Sequence, residues 1–313
     1  VPVPVDGVND KVFYGWFDNH LAYISSAVKF LSDNGKDGKK FWNESDIYHF
    51  IGKDIVYHHY LFLPAMRLGI GEEYKLPDYI PTRGHLTLQA KKISKSRNWY
   101  IGLKDFLQIF PADYLRFYLV SINPYSQDDL NFDWDEFATK INSELIGNLG
   151  NLVNRALGFT VKAFDSIVPD PEEFDDMDKE SEKAIKDLGS EVGVLMEQNH
   201  LDRALKKILQ FSAHFNQYFQ HKEPWKKAHG TGSCVYLSVN AVRSLAIAIY
   251  PFLPKSSQKI WVQLGMDGDV SAQSFDEISN ITIKQGHKLG KISPLFEKVE
   301  ESVIEEQKKK LGI

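Results

Sequence analysis

Lys91-Lys92-Ile93-Ser94-Lys95-Ser96-Arg97 packs four cations and two hydroxyls into seven residues, after a β-patterned run, His85-Leu86-Thr87-Leu88, and before an amphipathic helix pattern. Charges and hydroxyls this dense on a short loop suit a polyphosphate: lysine ammoniums neutralise it, while serine hydroxyls and backbone N–H groups bind its oxygens. A solvated basic loop has the same composition. The neighbourhood decides between the two.

Upstream, residues 12–17 (VFYGWF) are aromatic and apolar, which predicts a buried strand, and 21–30 predict a helix. Residues 47–51 (IYHFI) predict a second strand that runs into Gly52-Lys53-Asp54. From 55 to 66 the pattern is helical, with Ile55, His59, Phe62 and Leu63 on one side. Residues 85–90 predict a third strand. Strand–helix–strand alternation indicates a parallel α/β sheet, in which ligands bind at the carboxyl ends of the strands. Trp16, Asp18, Gly52, Asp54 and the lysine loop all fall at such ends, which points to one nucleotide site. Taken singly, Trp16 and His59 read as core side chains with a satisfied polar tip.

Downstream the period changes. Residues 103–110 make a helix that stops at Pro111, and 112–120 make another; Asn123-Pro124 is a turn. A long amphipathic stretch covers 134–164, weakened near its end by Gly158. Residues 165–182 are dense in carboxylates and read as a solvated connection without a site. Helices are predicted at about 180–197, 201–220, 235–249 and 256–264, with Glu223-Pro224-Trp225 interrupting the series and Pro251 and Pro254 framing a turn. Antiparallel helices with short connections make a bundle. A polar loop at 267–285 leads to a charged helix at about 299–310, whose narrow apolar stripe needs a surface to dock on; the first domain is the expected one.

The totals bound the reading. The chain has 313 residues, enough for about two domains, and its 43% hydrophobic and 25% charged content is that of a globular protein. A lone cysteine, Cys234, excludes a disulfide framework within the chain and a Cys-based zinc site, and fits a reducing, cytosolic compartment. No apolar run approaches the roughly 20 residues that cross a bilayer, so no membrane partner is expected. The net charge of −5 means that nucleic-acid contacts must come from local patches, and none is expected with DNA. The opening Val1-Pro2-Val3-Pro4-Val5 has neither an initiator Met nor a signal pattern and reads as a cut within a longer polypeptide.

With these residues in view, nearly the whole chain resembles the methionyl-tRNA synthetases, class I aminoacyl-tRNA synthetases, of archaeal or eukaryotic type. Lys92-Ile93-Ser94-Lys95-Ser96 matches the KMSKS signature, which alone gives only the class. His49-Phe50-Ile51-Gly52-Lys53-Asp54-Ile55-Val56-Tyr57 is more specific to the methionine enzyme. Phe13-Tyr14-Gly15-Trp16-Phe17-Asp18 followed by Tyr23 resembles the family's tryptophan-bearing strand and pocket. Asn151-Leu152-Val153-Asn154-Arg155, Glu223-Pro224-Trp225 and the segment 251–261 are similar to its anticodon-binding bundle.

The resemblance implies the second half of a Rossmann-like catalytic domain (1–100), linker helices (101–133), an all-α anticodon-binding bundle (134–266), and a linker with a C-terminal helix (267–313). It implies a methionine pocket including Trp16, Tyr23, Ile55 and His59; a thioether suits an aromatic wall. Gly52 and Asp54 would approach the ribose of ATP and the Leu86 backbone the adenine, with Ser94 also at the nucleotide. Lys92 and Lys95 would be catalytic, stabilising the triphosphate as carboxylate attack expels pyrophosphate. ATP would enter with Mg2+. Asn151 and Arg155, one helical turn apart, would meet the unstacked CAU anticodon of tRNA(Met) together with Trp225. The chain departs from the family at Asn19-His20, where Ala-Pro is usual, at Leu63, and at Gln89-Ala90-Lys91, where a glycine commonly precedes the motif. It carries no HIGH motif and no Cys-bearing zinc knuckle; both, with any zinc, are expected upstream of Val1, leaving half of an active site here. Another class I synthetase, for isoleucine, valine, leucine or cysteine, and a non-catalytic tRNA-binding or assembly module remain as alternative readings.

Overall fold

The computed structural model describes residues 3, 5–8, 10–71 and 74–313, with position 18 described for its backbone alone. Two compact units form, one from Val1–His85 with Tyr125–Asp129, the other from Leu86–Pro124 with Leu130–Ile313.

In the first unit, the expected strand at 12–17 is the start of a helix instead: α1 runs Gly15–Asp33. Aromatic residues favour strands, but Trp16, His20, Ile24 and Ala27/Val28 recur at helical spacing, and tertiary packing overrides local preference. Ile24 is buried with Trp42 and Ile47, and Ala27, Val28 and Tyr74 pack around them. α2 (Gly38–Glu44) is capped by Asp37, whose carboxylate accepts from the Lys40 N–H at 2.9 Å. Gly38 is required there, because a Cβ would lie 2.6 Å from the Val28 carbonyl oxygen. β1 (Ile51–Gly52) pairs in parallel with β2 (Thr82–Arg83), and a Tyr48–Tyr79 bridge extends the pairing. A 3-10 turn, Lys53–Ile55, a π-helical stretch, His58–Phe62, and α3 (Leu63–Ile70) follow β1.

In the second unit, β3 (Leu86–Leu88) lies between β4 (Lys91–Lys92), antiparallel, and β5 (Leu130–Phe132), parallel. The sequence predicts one parallel sheet; among the described residues there are two small ones, and the second is mixed. Among the described residues, nine α-helices and one long π-helical stretch come after β4. α4 (Leu103–Ile109) and α5 (Ala112–Ser121) precede β5, and α6 (Trp134–Lys140), a π-helical stretch Ile141–Gly150 and α7 (Asn151–Ala163) run on as one rod. Then come α8 (Asp176–Glu197), α9 (Leu201–Lys222), α10 (Thr231–Ile249), α11 (Pro254–Gln263) and α12 (Glu301–Leu311). This is an α/β portion followed by an all-α bundle.

α10 is the bundle's axis and is buried along nearly its whole length. It corrects the view that no apolar run nears membrane length: among the described residues it is the one helix long and apolar enough, with 94% of that window inside the core. α8 and α9 are tied by a buried ion pair. Lys222 Nζ lies 2.7 Å from Asp178 Oδ1, and Asp178, only 1% exposed, also accepts from the Tyr218 hydroxyl at 2.6 Å. Asp175 and Asp178 form a reciprocal capping box at the start of α8. α12 buries Ile304 and packs on α6, with Lys308 Nζ 2.7 Å from Asp135. A cleft of about 160 Å³ lies between its last turn and the segment from Asn98 to Phe106.

Candidate functional site

Helical geometry gathers the first group of residues. α1 brings Trp16, His20 and Tyr23 onto neighbouring turns, and the helical run after β1 supplies Ile55, His58 and His59. The Tyr23 hydroxyl is 3.3 Å from His59 Nε2, and His59 Nδ1 is 3.0 Å from the Ile55 carbonyl oxygen. Trp16 lies 4.5 Å from the His58 ring, 5.4 Å from His20 and 6.5 Å from His59. His49 adds a fourth imidazole, 4.9 Å from Tyr23 and 5.7 Å from His59. Trp16, Tyr23, Ile55 and His59 are thus brought together, and His59 is buried with both ring nitrogens partnered.

The sequence reading did not assign His20, His49 and His58 to this group. The signal available was Trp16-x-x-x-His20: on a strand these two stand about 13 Å apart, on a helix they touch. His20 is fully buried, and neither of its ring nitrogens has a hydrogen-bond partner among the described residues. Burial, with His59 and His58 nearby, holds its pKa down at about 4. Burial, with His59, His20 and Arg67 as further causes, does the same to His49. Both imidazoles are neutral at physiological pH. No group of three or more His, Cys, Asp or Glu residues among those described is arranged to hold a metal ion.

Gly52 and Asp54 stand at the carboxyl end of β1. Asp54 Oδ1 folds over Gly52, where a Cβ would meet it at 2.6 Å, and sits 3.2 Å from His85 Nε2. Behind them Asp129 accepts from Lys53 at 2.7 Å and from the His85 N–H at 2.8 Å; these bonds hold its carboxyl below the usual range. The side chain of Asp18 is outside the described residues.

Leu86, Lys92, Ser94 and Lys95 belong to the second unit. The lysine loop is a hairpin leaving β3. Its turn, Gln89-Ala90, has φ of 48° and 59°, and its far end, Asn98, has φ 52°. Asn131 Oδ1 accepts the Ala90 N–H at 2.6 Å, and the Phe132 carbonyl accepts that of Gln89 at 2.8 Å. Ser94 and Trp99 exchange backbone hydrogen bonds of 2.8 and 2.9 Å, and the Trp99 indole N–H donates to the Leu88 carbonyl at 2.9 Å. Lys91 sits 4.6 Å above that indole. Lys92 and Lys95 are exposed and have no carboxylate partner among the described residues. The loop thus spends one lysine on its own structure and leaves Lys92, Lys95 and Arg97 exposed, while the Ser94 and Ser96 hydroxyls pair with each other at 3.2 Å.

The third group lies on the bundle. Asn151 and Arg155 share a face of α7, as their spacing predicts. Asn151 Nδ2 donates to Asn216 Oδ1 at 2.8 Å; Arg155 donates to Gln220 Oε1 at 2.8 Å and to the Asn216 carbonyl at 3.4 Å. The guanidinium is 5.2 Å from the Phe219 ring centroid and 6.0 Å from that of Trp225. Trp225 remains 44% exposed on its turn after α9, so it is not a core tryptophan. Exposed indole, guanidinium and amide together can stack a flat aromatic ligand and hydrogen-bond its edge. Asn216 and Gln220, one turn apart on α9, were not singled out from sequence.

Comparison with known proteins covers nearly the whole chain. Residues 1–157 match the family model described as tRNA synthetases class I (M), and 168–312 that of the anticodon binding domain of methionyl tRNA ligase. The methionine–tRNA ligase of Pyrococcus horikoshii is 40% identical over 324 residues, covering 97% of this chain and 44% of that protein. That of Methanopyrus kandleri is 38% identical over 315 residues, covering 98% and 46%. The methionyl-tRNA synthetase of Mycobacterium tuberculosis, solved bound by methionyl-adenylate, superposes with a TM-score of 0.83 at 26% identity, over 95% of this chain and 58% of that one. The chain therefore spans less than half the length of these curated relatives.

Proposed function

Because this chain belongs to the methionyl-tRNA synthetase family, we propose that it supplies the KMSKS-type loop, part of the amino-acid pocket and the anticodon-reading bundle of an enzyme that joins methionine to tRNA(Met). In the first step the methionine carboxylate attacks the α-phosphorus of ATP, forming methionyl-adenylate and expelling pyrophosphate. Trp16, Tyr23, Ile55 and His59 hold the methionine side chain. Gly52 and Asp54 meet the ribose and the Leu86 backbone the adenine. Lys92 and Lys95, with Ser94, bind the triphosphate that arrives with Mg2+ and offset the charge that grows on the leaving pyrophosphate. Asn151, Arg155 and Trp225 receive the anticodon.

The observation that carries this reading is the lysine hairpin. Two exposed lysines without carboxylate partners among the described residues stand on a backbone pinned at Leu88 and Ser94 by Trp99. Cations left unneutralised by the protein await an anion. The test is methionine-dependent ATP–pyrophosphate exchange by the full-length enzyme. Lys95→Ala should lower its rate by about 10²–10³-fold, as loss of a donor to developing charge does, while methionine affinity stays within twofold. A Lys95→Ala enzyme within threefold of wild type contradicts the role.

A further inference from the structure

The amides beside Asn151 form a relay whose direction is fixed at its far end. Asn148 Nδ2 donates to the backbone carbonyl of Leu209 at 2.8 Å. Asn216 Nδ2 donates to the backbone carbonyl of Asn148 at 2.9 Å and to Asn148 Oδ1 at 3.1 Å. A backbone carbonyl only accepts, so the amide orientations of both residues follow from chemistry. Asn216 must then turn its Oδ1 towards Asn151, whose Nδ2 is the donor at 2.8 Å. The consequence falls at the near end: Asn151 Oδ1 is left without a donor among the described residues. Next to it, Arg155 offers only N–H groups.

We propose that Asn216 is a positioning residue that sets the polarity of this face, holding the Asn151 carbonyl oxygen free to accept, and that the ligand is a nucleobase whose edge places an exocyclic amine beside ring acceptors. Cytosine has that edge, amine followed by N3 and O2, and adenine has its first two groups. Uracil presents a carbonyl where cytosine presents the amine, so it meets the Asn151 oxygen with like polarity. The proposal rests on the reading of this face as the anticodon site. It adds a donor–acceptor order that neither Asn151 nor Arg155 alone determines, since a free amide can rotate to present either end.

The experiment is aminoacylation by the full-length enzyme with tRNA(Met) transcripts carrying CAU, the same anticodon with cytosine replaced by uracil, and the same with adenine replaced by inosine. Each exchange swaps an amine for a carbonyl. The wild-type enzyme should prefer the amine at one of these positions on the order of tenfold to hundredfold in kcat/KM. Asn216→Ala should cut that preference at least fivefold while leaving pyrophosphate exchange unchanged, which also verifies folding. Asn216→Asp keeps an acceptor facing Asn151 Nδ2. It should weaken both tRNAs of a pair alike and preserve their ratio. An unaltered preference in Asn216→Ala, with exchange intact, overturns the proposal. Trp225→Ala separates this from failure of the site itself: if neither it nor the base exchanges affect aminoacylation, the face does not meet the anticodon and the reading beneath the proposal falls.

Discussion

A buried imidazole with two unpartnered nitrogens is costly, and among the described residues His20 is one, surrounded by Trp16, Tyr23, His58 and His59. Burial holds its folded-state pKa, and that of His49, down at about 4, below the ordinary imidazole value of 6.5. Between those limits the unfolded chain binds more protons than the folded one, so stability is full above about pH 6.5 and is lost as pH falls towards 4. Each such histidine gives a slope of at most about 1.4 kcal/mol per pH unit. The C2–H resonances of His20 and His49 should titrate with midpoints near 4, and midpoints near 6.5 would show that the cluster is open to water. Trp225 offers a second test at this scale. Trp225→Ala should reduce aminoacylation by roughly tenfold to hundredfold, the worth of one base–aromatic stack, with pyrophosphate exchange unchanged; equal loss in both assays would remove it from the anticodon. Single residues also mark the limit of the sequence. Trp16, Tyr23 and His59 were legible through resemblance, whereas His49 and His58 join them only once helix and strand are folded together. Asn216 gave no sign at all, since its role depends on partners on another helix.

Among the elements, the lysine hairpin holds non-glycine residues at positive φ at both ends. Ala90, at φ 59°, has no side-chain hydrogen bond with which to offset that conformation. Ala90→Gly should therefore stabilise the protein by about 1 kcal/mol, read as a shift of the denaturation midpoint with unchanged m-value. A destabilisation would mean that the turn does not adopt this conformation in solution. The α8–α9 tie behaves oppositely. Removing the Lys222 ammonium leaves the buried Asp178 carboxylate without its counter-ion, so Lys222→Met should cost about 3–5 kcal/mol by denaturant unfolding. A cost below 1 kcal/mol would mean that water already reaches the pair. Elements were the scale at which sequence served best: from 103 onward, every predicted helix exists, and their ends agree to within a few residues. It failed at 12–17, where aromatic β-preference hid a helical period. It also missed β5, whose partner β3 lies on the far side of two helices.

For the molecule as a whole, the two units differ in how much they bury. The hydrophobic cluster of the first rests on Ile24, Trp42 and Ile47, whereas one continuous core runs through the second from Leu88 to Ile304. Amides of the first unit should therefore exchange with solvent through openings of lower free energy than those of α9 and α10, as resolved by hydrogen-exchange mass spectrometry. Equal protection would mean that the units open together. The division into an α/β portion and a helical bundle was legible from the change of period near residue 103; the boundary at His85 was not, because it depends on which segments pack together. The rod from Trp134 to Ala163 has a wide-turned middle, Ile141–Gly150. In a rod of this kind, sequence length is an angle: each residue added or removed turns everything beyond it by about 100°. The middle stretch therefore acts as a phase setting, dialling Asn151 and Arg155 round to meet α9. Deleting one residue within it would leave the helix content almost intact but turn that face away from Asn216 and Gln220, like a key cut correctly and inserted a quarter-turn out.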